Sequence, residues 1–468
     1  MASLSREFGR FAHEIQADAL PPALSRAIRA RIVDVLGVAC AASRGVKADV
    51  GHALAGNWGA QGPARIFAST RRVDATGAAF VNALLAHCED FDDTHLPSVL
   101  HPSATIIPTA LAVAEERGRT FAELIAAAAV GYELCIRLGM AGYDPASHDS
   151  LFFARGWHAT SICGALGASA SAAKLMGLDA RGIAEALAVA ASLTSGILEA
   201  NRGGGSIKAF HCAYAAQSAI LAARSASLGV TGPARVFEGE MGLFRAYCGI
   251  TPGPELGAEL GSRWSLDGVV MKRFPINHFL HPVVDAALEL RARVPARSVA
   301  GVTVGLPRAV LKSVAEPRAL KLRPATGHAA RFSAPFVFAT AWESLQPPSL
   351  ADFDDDSVRD PQRLSLAELV ECEADPVCTE RFPKRLSARV RVDTHDGRRF
   401  WAEAGEGPRP ALSPDAVLNK FEANLGYGGC EVDSHRVRAF LSDGCTTLDE
   451  IPWPVARDDP RRNGAARS

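Results

Sequence analysis

The chain has 468 residues, 48% apolar and 22% charged, the balance of a folded globular protein rather than a disordered one. Fifty basic residues against 51 acidic ones leave a net charge of −1, so the basic footprint of a nucleic-acid binder is not expected. The length exceeds one ordinary core and predicts more than one domain.

The opening MASLSREFGRFAHEI lacks the apolar core of a secretory signal, so the expected location is the cytoplasm. Leu24, Ile28, Ile32, Val35 and Ala39 recur at helical spacing behind Pro21 and Pro22, where a helix start tolerates proline. Segments 103–118, 120–139, 158–176, 180–194 and 211–228 read the same way. Small residues dominate them, as in GALGASASAA, which predicts close helix crossings. LIAAAAVGYEL is too short to span a bilayer, and no membrane partner is expected.

The texture changes near 266. SVAGVTVGL reads as a strand, and Leu386, Ala388, Val390 and Val392 alternate with polar residues. Asp396-Gly397 offers a tight turn, and Phe400, Ala402 and Ala404 alternate on the return, which is a hairpin signal. Stretches 329–344 and 364–373 read as helices. Ser413-Pro414-Asp415 caps a final helix. The predicted fold class is mainly α: a large all-helical domain from 1–265 plus 408–468, with a smaller α+β lid inserted at 266–407.

Residues 86–104, AHCEDFDDTHLPSVLHPSA, concentrate four acids and three histidines. An isoprenoid-synthase metal site would need a second acid spaced from Asp92-Asp93, and none stands there. Residues 86–104 hold no adjacent His-Asp pair, and HExxH is absent from the sequence, so no metal is expected. The ten cysteines are scattered without a CxxC, so reduced buried thiols are expected and an iron–sulfur cluster is not. His101 lies just before a predicted helix start, where free N–H groups suit an anion. His158 opens another helix. Lys208 follows a glycine-rich approach, and Lys272-Arg273 begins the α+β segment. GxxxxGK[ST] and GxGxxG are not met, which argues against a nucleotide. Helix starts and cations in this number suit a small polyanion.

In order, AHCEDFDDTH, HPSATIIPTALA, GYELCIRLG, GWHATSICGALGASASAAKLMGL, IKAFHCAYAAQ and MKRFPINHFLHP closely resemble the MmgE/PrpD family of 2-methylcitrate dehydratases and cis-aconitate decarboxylases. The resemblance runs from about residue 5 to 425. It implies a helical domain made from both chain ends with an α+β lid, a homodimer, a small polycarboxylate substrate, and chemistry without metal or organic cofactor. By motif it implies Asp90, His101 and His158 as catalytic residues, with Asp90 orienting a histidine. It implies Lys208, Lys272, Thr94 and Arg273 as substrate-binding residues. The family's lysine motif often carries glycine where Ala213 stands, and a lid tyrosine of decarboxylating members has no counterpart near Lys321–Pro324. The leading expectation is therefore a 2-methylcitrate dehydratase-like hydro-lyase. Decarboxylation of a cis-aconitate-like acid, epimerisation of a dicarboxylate such as iminodisuccinate, and a non-catalytic helical binding protein are the alternatives.

Overall fold

A computed structural model describes residues 3–58, 61–203, 205–344, 346–406, 412–442 and 447–457. The boundary expected near 407 and the last eleven residues lie outside this set. Two hydrophobic cores organise the rest. One is helical and draws on Leu4 to Met271 and again on Val417 to Ile451. The other draws on Phe274 to Ala402.

The helical core is built as the small-residue stretches predict. Helices Phe121–Ala141 and Ala159–Leu175 cross at Gly131 and Gly167. A Cβ on Gly167 would lie 2.3 Å from the Gly131 carbonyl oxygen, so side chains are excluded where the backbones meet. Gly167→Ala is expected to lose about 1–3 kcal/mol from overpacking. That loss would outweigh the ~1 kcal/mol by which alanine favours a helix over glycine. A urea midpoint at or above that of the unsubstituted protein would refute the close crossing.

The apolar stripe read from Leu24 to Ala39 lies in helix Pro22–Ala42 and is buried. It packs on Pro414–Gly428 from the other end of the chain. There Ser413 caps as expected, accepting from the Ala416 N–H at 3.2 Å. That helix is not the last, because Ser434–Leu441 follows it. Half-buried Lys420 pairs with Asp34 at 2.7 Å and donates to the Phe91 carbonyl at 2.9 Å.

The lid holds a four-stranded sheet in the order Arg399–Glu406, Leu386–Thr394, Val299–Leu306, Val370–Ala374. The first two form the expected hairpin, with Ala402 opposite Val390 and Gly397 at φ +82° in the turn. Val299–Leu306 runs antiparallel to Leu386–Thr394 and parallel to Val370–Ala374. That last strand corrects the expected helix at 364–373: helix Pro361–Glu368 ends first, and Val370 to Ala374 continue as a strand. Its alternation is buried–exposed, which a helical reading of so short a run hides. Helices His281–Arg291 and Ala334–Ser344 pack against one another, and His281–Arg291 packs on the sheet.

Helix Phe121–Ala141 is long and apolar enough to cross a membrane, but 83% of its apolar window is buried inside the protein. The nine cysteines among the described residues are free thiols, all but Cys372 buried.

Candidate active site

A two-residue ladder assembles the site. Thr94 pairs with Val270 and His95 with Val269, antiparallel. This ties the acidic loop after helix Ala75–His87 to the segment entering the lid, and so sets Lys272 beside Asp90. Asp90 itself turns the chain at φ +50°, a conformation that Asp and Asn tolerate better than most residues. Helix Ile207–Ser227 packs on Ala75–His87 and presents Lys208 from its first turn.

The result is a buried ionic triad. Lys208 Nζ donates to Asp90 Oδ1 at 2.9 Å. Lys272 Nζ lies 3.1 Å from Asp90 Oδ2 and donates to the Asp90 carbonyl at 2.5 Å. All three side chains are buried. Burial alone would raise the Asp90 carboxyl, but the two ammoniums outweigh it and hold Asp90 well below the usual carboxylate range. Burial lowers Lys272, against the pull of Asp90. Asp90 therefore holds two lysines. This corrects the expectation that Asp90 orients a histidine.

That task falls to its neighbours. His101 Nδ1 lies 2.8 Å from the Asp93 carbonyl oxygen and 3.4 Å from Thr94 Oγ1. A carbonyl only accepts, so Nδ1 carries the proton and Nε2 keeps its lone pair. Burial pushes His101 down to about 3, so the ring is neutral at pH 7. Asp93 also fixes the helix behind it: its carboxylate accepts from Ser103 N–H at 3.1 Å, Ser103 Oγ at 2.5 Å and Arg31 Nε at 3.2 Å. Asp92 binds His87 Nδ1 at 2.8 Å and sits 3.8 Å from His101 Nδ1.

His87 is the residue the sequence reading passed over. Its ring centroid lies 5.1 Å from that of His101 and 5.6 Å from that of His158. His158 in turn meets His211, Nδ1 to Nδ1, at 3.1 Å. Burial and nearby Lys208 hold His158 well below its ordinary value. The backbone of His158 donates to the Gly196 carbonyl at 2.9 Å, and a Cβ on Gly196 would come within 3.3 Å of His211 Nδ1. His101 N–H donates to Thr160 Oγ1 at 3.1 Å, so the starts of helices Ser103–Arg117 and Ala159–Leu175 meet here. Helix starts carry partial positive charge and favour an anion between them.

Asp90, Thr94, His101, His158, Lys208 and Lys272 are thus brought together. Arg273 is not. Its guanidinium pairs with Asp285 at 3.0 and 2.7 Å and lies over the Phe274 ring. Lys272 turns in to Asp90, while Arg273 turns away to Asp285.

His87, Asp90 and Asp92 each bring one ligand atom within 4.8 Å of the others. Asp90 already faces two ammoniums and Asp92 faces His87, so a divalent cation there would sit against two buried positive charges. The donor set suits an ionic network rather than a metal.

On the lid side, a cavity of about 640 Å³ opens next to this cluster. Phe332 is the shared wall: it lines the cavity, and Lys208 Nζ stands 4.9 Å from its ring centroid.

Comparison with known proteins decides the family. The MmgE/PrpD N-terminal domain matches residues 6–254, and the MmgE/PrpD C-terminal domain matches 274–440. The chain belongs to the MmgE/PrpD family. A human protein named cis-aconitate decarboxylase is 32% identical over 363 residues, covering 75% of this chain and 73% of its own length. A mouse protein of the same name is 29% identical over 462 residues, covering 92% and 88%. One from Aspergillus terreus is 26% identical over 424 residues, covering 83% and 82%. This MmgE/PrpD protein is an enzyme of the lyase class, which sets the non-catalytic alternative aside.

Proposed function

We propose that the enzyme is a cofactor-independent lyase of a cis-aconitate-type tricarboxylate, with decarboxylation as its leading reaction. The observation that carries this reading is a neutral His101 with a free Nε2 beside two buried lysines. The ammoniums of Lys208 and Lys272 would bind substrate carboxylates and stabilise charge that develops on them. The bound polyanion would raise the proton affinity of His101, so the ring would hold a proton at Nε2. As the C–C bond to the departing carboxylate breaks, CO2 leaves and the bond pair forms a new double bond. The old double bond would take the proton from His101 at the carbon next to a remaining carboxylate. One proton is consumed, and a dicarboxylate remains. The names of relatives spanning most of the chain support this order of preference over the dehydration expected first.

Dehydration of a 2-methylcitrate-like acid is the second reading. It is favoured by the neutral state of His101 in the free enzyme, which leaves Nε2 unprotonated and open to accept a proton. Turnover of a polycarboxylate panel in deuterated water, followed by NMR, separates the two. Decarboxylation should place one deuterium beside a carboxylate and release CO2, and the rate should survive exhaustive chelation. Silence toward every polycarboxylate, or activity lost to chelator and restored by magnesium or iron, would overturn the proposal.

A further inference from the structure

The 640 Å³ cavity carries a lysine that the chemistry above does not use. Lys321 sits in the lid helix Arg318–Leu322 and is buried. Its Nζ donates to the Ser313 carbonyl at 2.7 Å. Its own carbonyl accepts from Ser333 Oγ at 2.5 Å, which fixes the backbone at the start of helix Ala334–Ser344. Among the described residues no carboxylate lies within ion-pair distance of Lys321, unlike Lys208 and Lys272. Burial with no opposing acid pulls its ammonium down to about 8.

A buried lysine without an acid is unfavourable unless something else supplies the negative charge. The rest of the cavity points to what that is. Lys47 faces it from the helical domain. Of the acids along its wall, only the two exposed ones, Asp354 and Asp355, have no cation within ion-pair distance among the described residues. Glu89 pairs with Arg331 at 2.5 Å, Asp354 accepts from the Ser357 and Asp356 N–H groups, and Asp355 accepts from the Gly327 N–H. Across Phe332 stands Lys208. The cavity thus offers ammoniums from lid and helical domain, one wall away from the catalytic cluster.

We propose that Lys321 is the lid's carboxylate receptor, holding the substrate carboxylate farthest from Lys208 and Lys272 and so selecting tricarboxylates over dicarboxylates. This rests on the lyase reading above. Lys321 is a specificity-determining residue, and the ordinary alternative is that it merely ties Arg318–Leu322 to Ser313. Lys321→Gln separates the two, because the amide can still donate to the Ser313 carbonyl but carries no charge.

The test is calorimetric binding of propane-1,2,3-tricarboxylate and of glutarate to the full-length protein and to Lys321→Gln, with a thermal melt of each. The unsubstituted enzyme should prefer the tricarboxylate by about tenfold or more, the scale of one charge-assisted bond. Lys321→Gln should bind glutarate unchanged and lose that preference. With the substrate found by NMR, KM should rise while kcat changes little. The fall of kcat/KM above pH about 8 should disappear in the variant, since the free enzyme's lysine sets that limb. A folded Lys321→Gln that keeps the preference and the pH limb overturns the inference and leaves the lyase reading standing. Failure of the unsubstituted enzyme to bind either acid overturns both. If Lys321→Gln does not fold, Lys321→Arg decides. It keeps the positive charge and should keep the preference, and its loss in a folded Arg variant would overturn the inference.

Discussion

His101→Asn is expected to lose kcat by roughly 10²–10⁴-fold while remaining folded. The asparagine amide can still donate to the Asp93 carbonyl, which His101 Nδ1 reaches at 2.8 Å, so the loop keeps its local bond. What disappears is Nε2, the only ring atom free to exchange a proton. His101→Ala should lose as much activity and more stability, because it also abandons that carbonyl. Steady-state kinetics beside a thermal melt make the comparison. Near-normal kcat in folded His101→Asn would move the proton-transfer role to His158, whose ring centroid lies 5.6 Å from that of His87.

Asp90→Asn should cost about 3–5 kcal/mol of stability, the usual penalty for removing one partner from a buried ion pair. Two ammoniums would then stand buried with no acid between them. Asparagine is the informative choice because it tolerates φ +50°. Asp90→Ala would add about 1–2 kcal/mol of left-handed backbone strain. A polycarboxylate should raise the melting temperature of Asp90→Asn more than that of the unsubstituted enzyme, since its carboxylates can stand in for the lost one. A variant as stable as the original would show that the lysines need no acid and that the triad is misread.

The sequence exposed part of this site and hid part of it, for physical reasons. His101 and His158 were legible because each precedes a helix start, and helix starts announce themselves. Lys208 and Lys272 were legible through their motifs. His87 was hidden because it ends a helix five residues before its partner Asp92, and the loop between them has no period to read. The pairing of Asp90 with two lysines is a contact between distant segments, made by the Thr94–Val270 ladder, and no local pattern encodes it. The same holds in the fold. The hairpin around Asp396-Gly397 is local and was readable. Val370–Ala374 finds its place only by pairing with Val299–Leu306 far up the chain, so its short run passed for the end of a helix.

The meeting of the two chain ends also sets an order of events during synthesis. A ribosome adds roughly 5–20 residues per second, from the N-terminus. Every strand of the lid sheet has therefore been synthesised before Pro414–Gly428 exists. The lid can gather its own core while the newborn helical part still shows the bare flank of Pro22–Ala42 to solvent. Lys420 arrives late, and it does two things at once. It neutralises Asp34 at one end of its reach and clasps the Phe91 carbonyl, next door to Asp90, at the other. The catalytic loop is thus latched by one of the last helices to be made, and a nascent chain stopped short of it would carry the residues named above without the clasp that sets them.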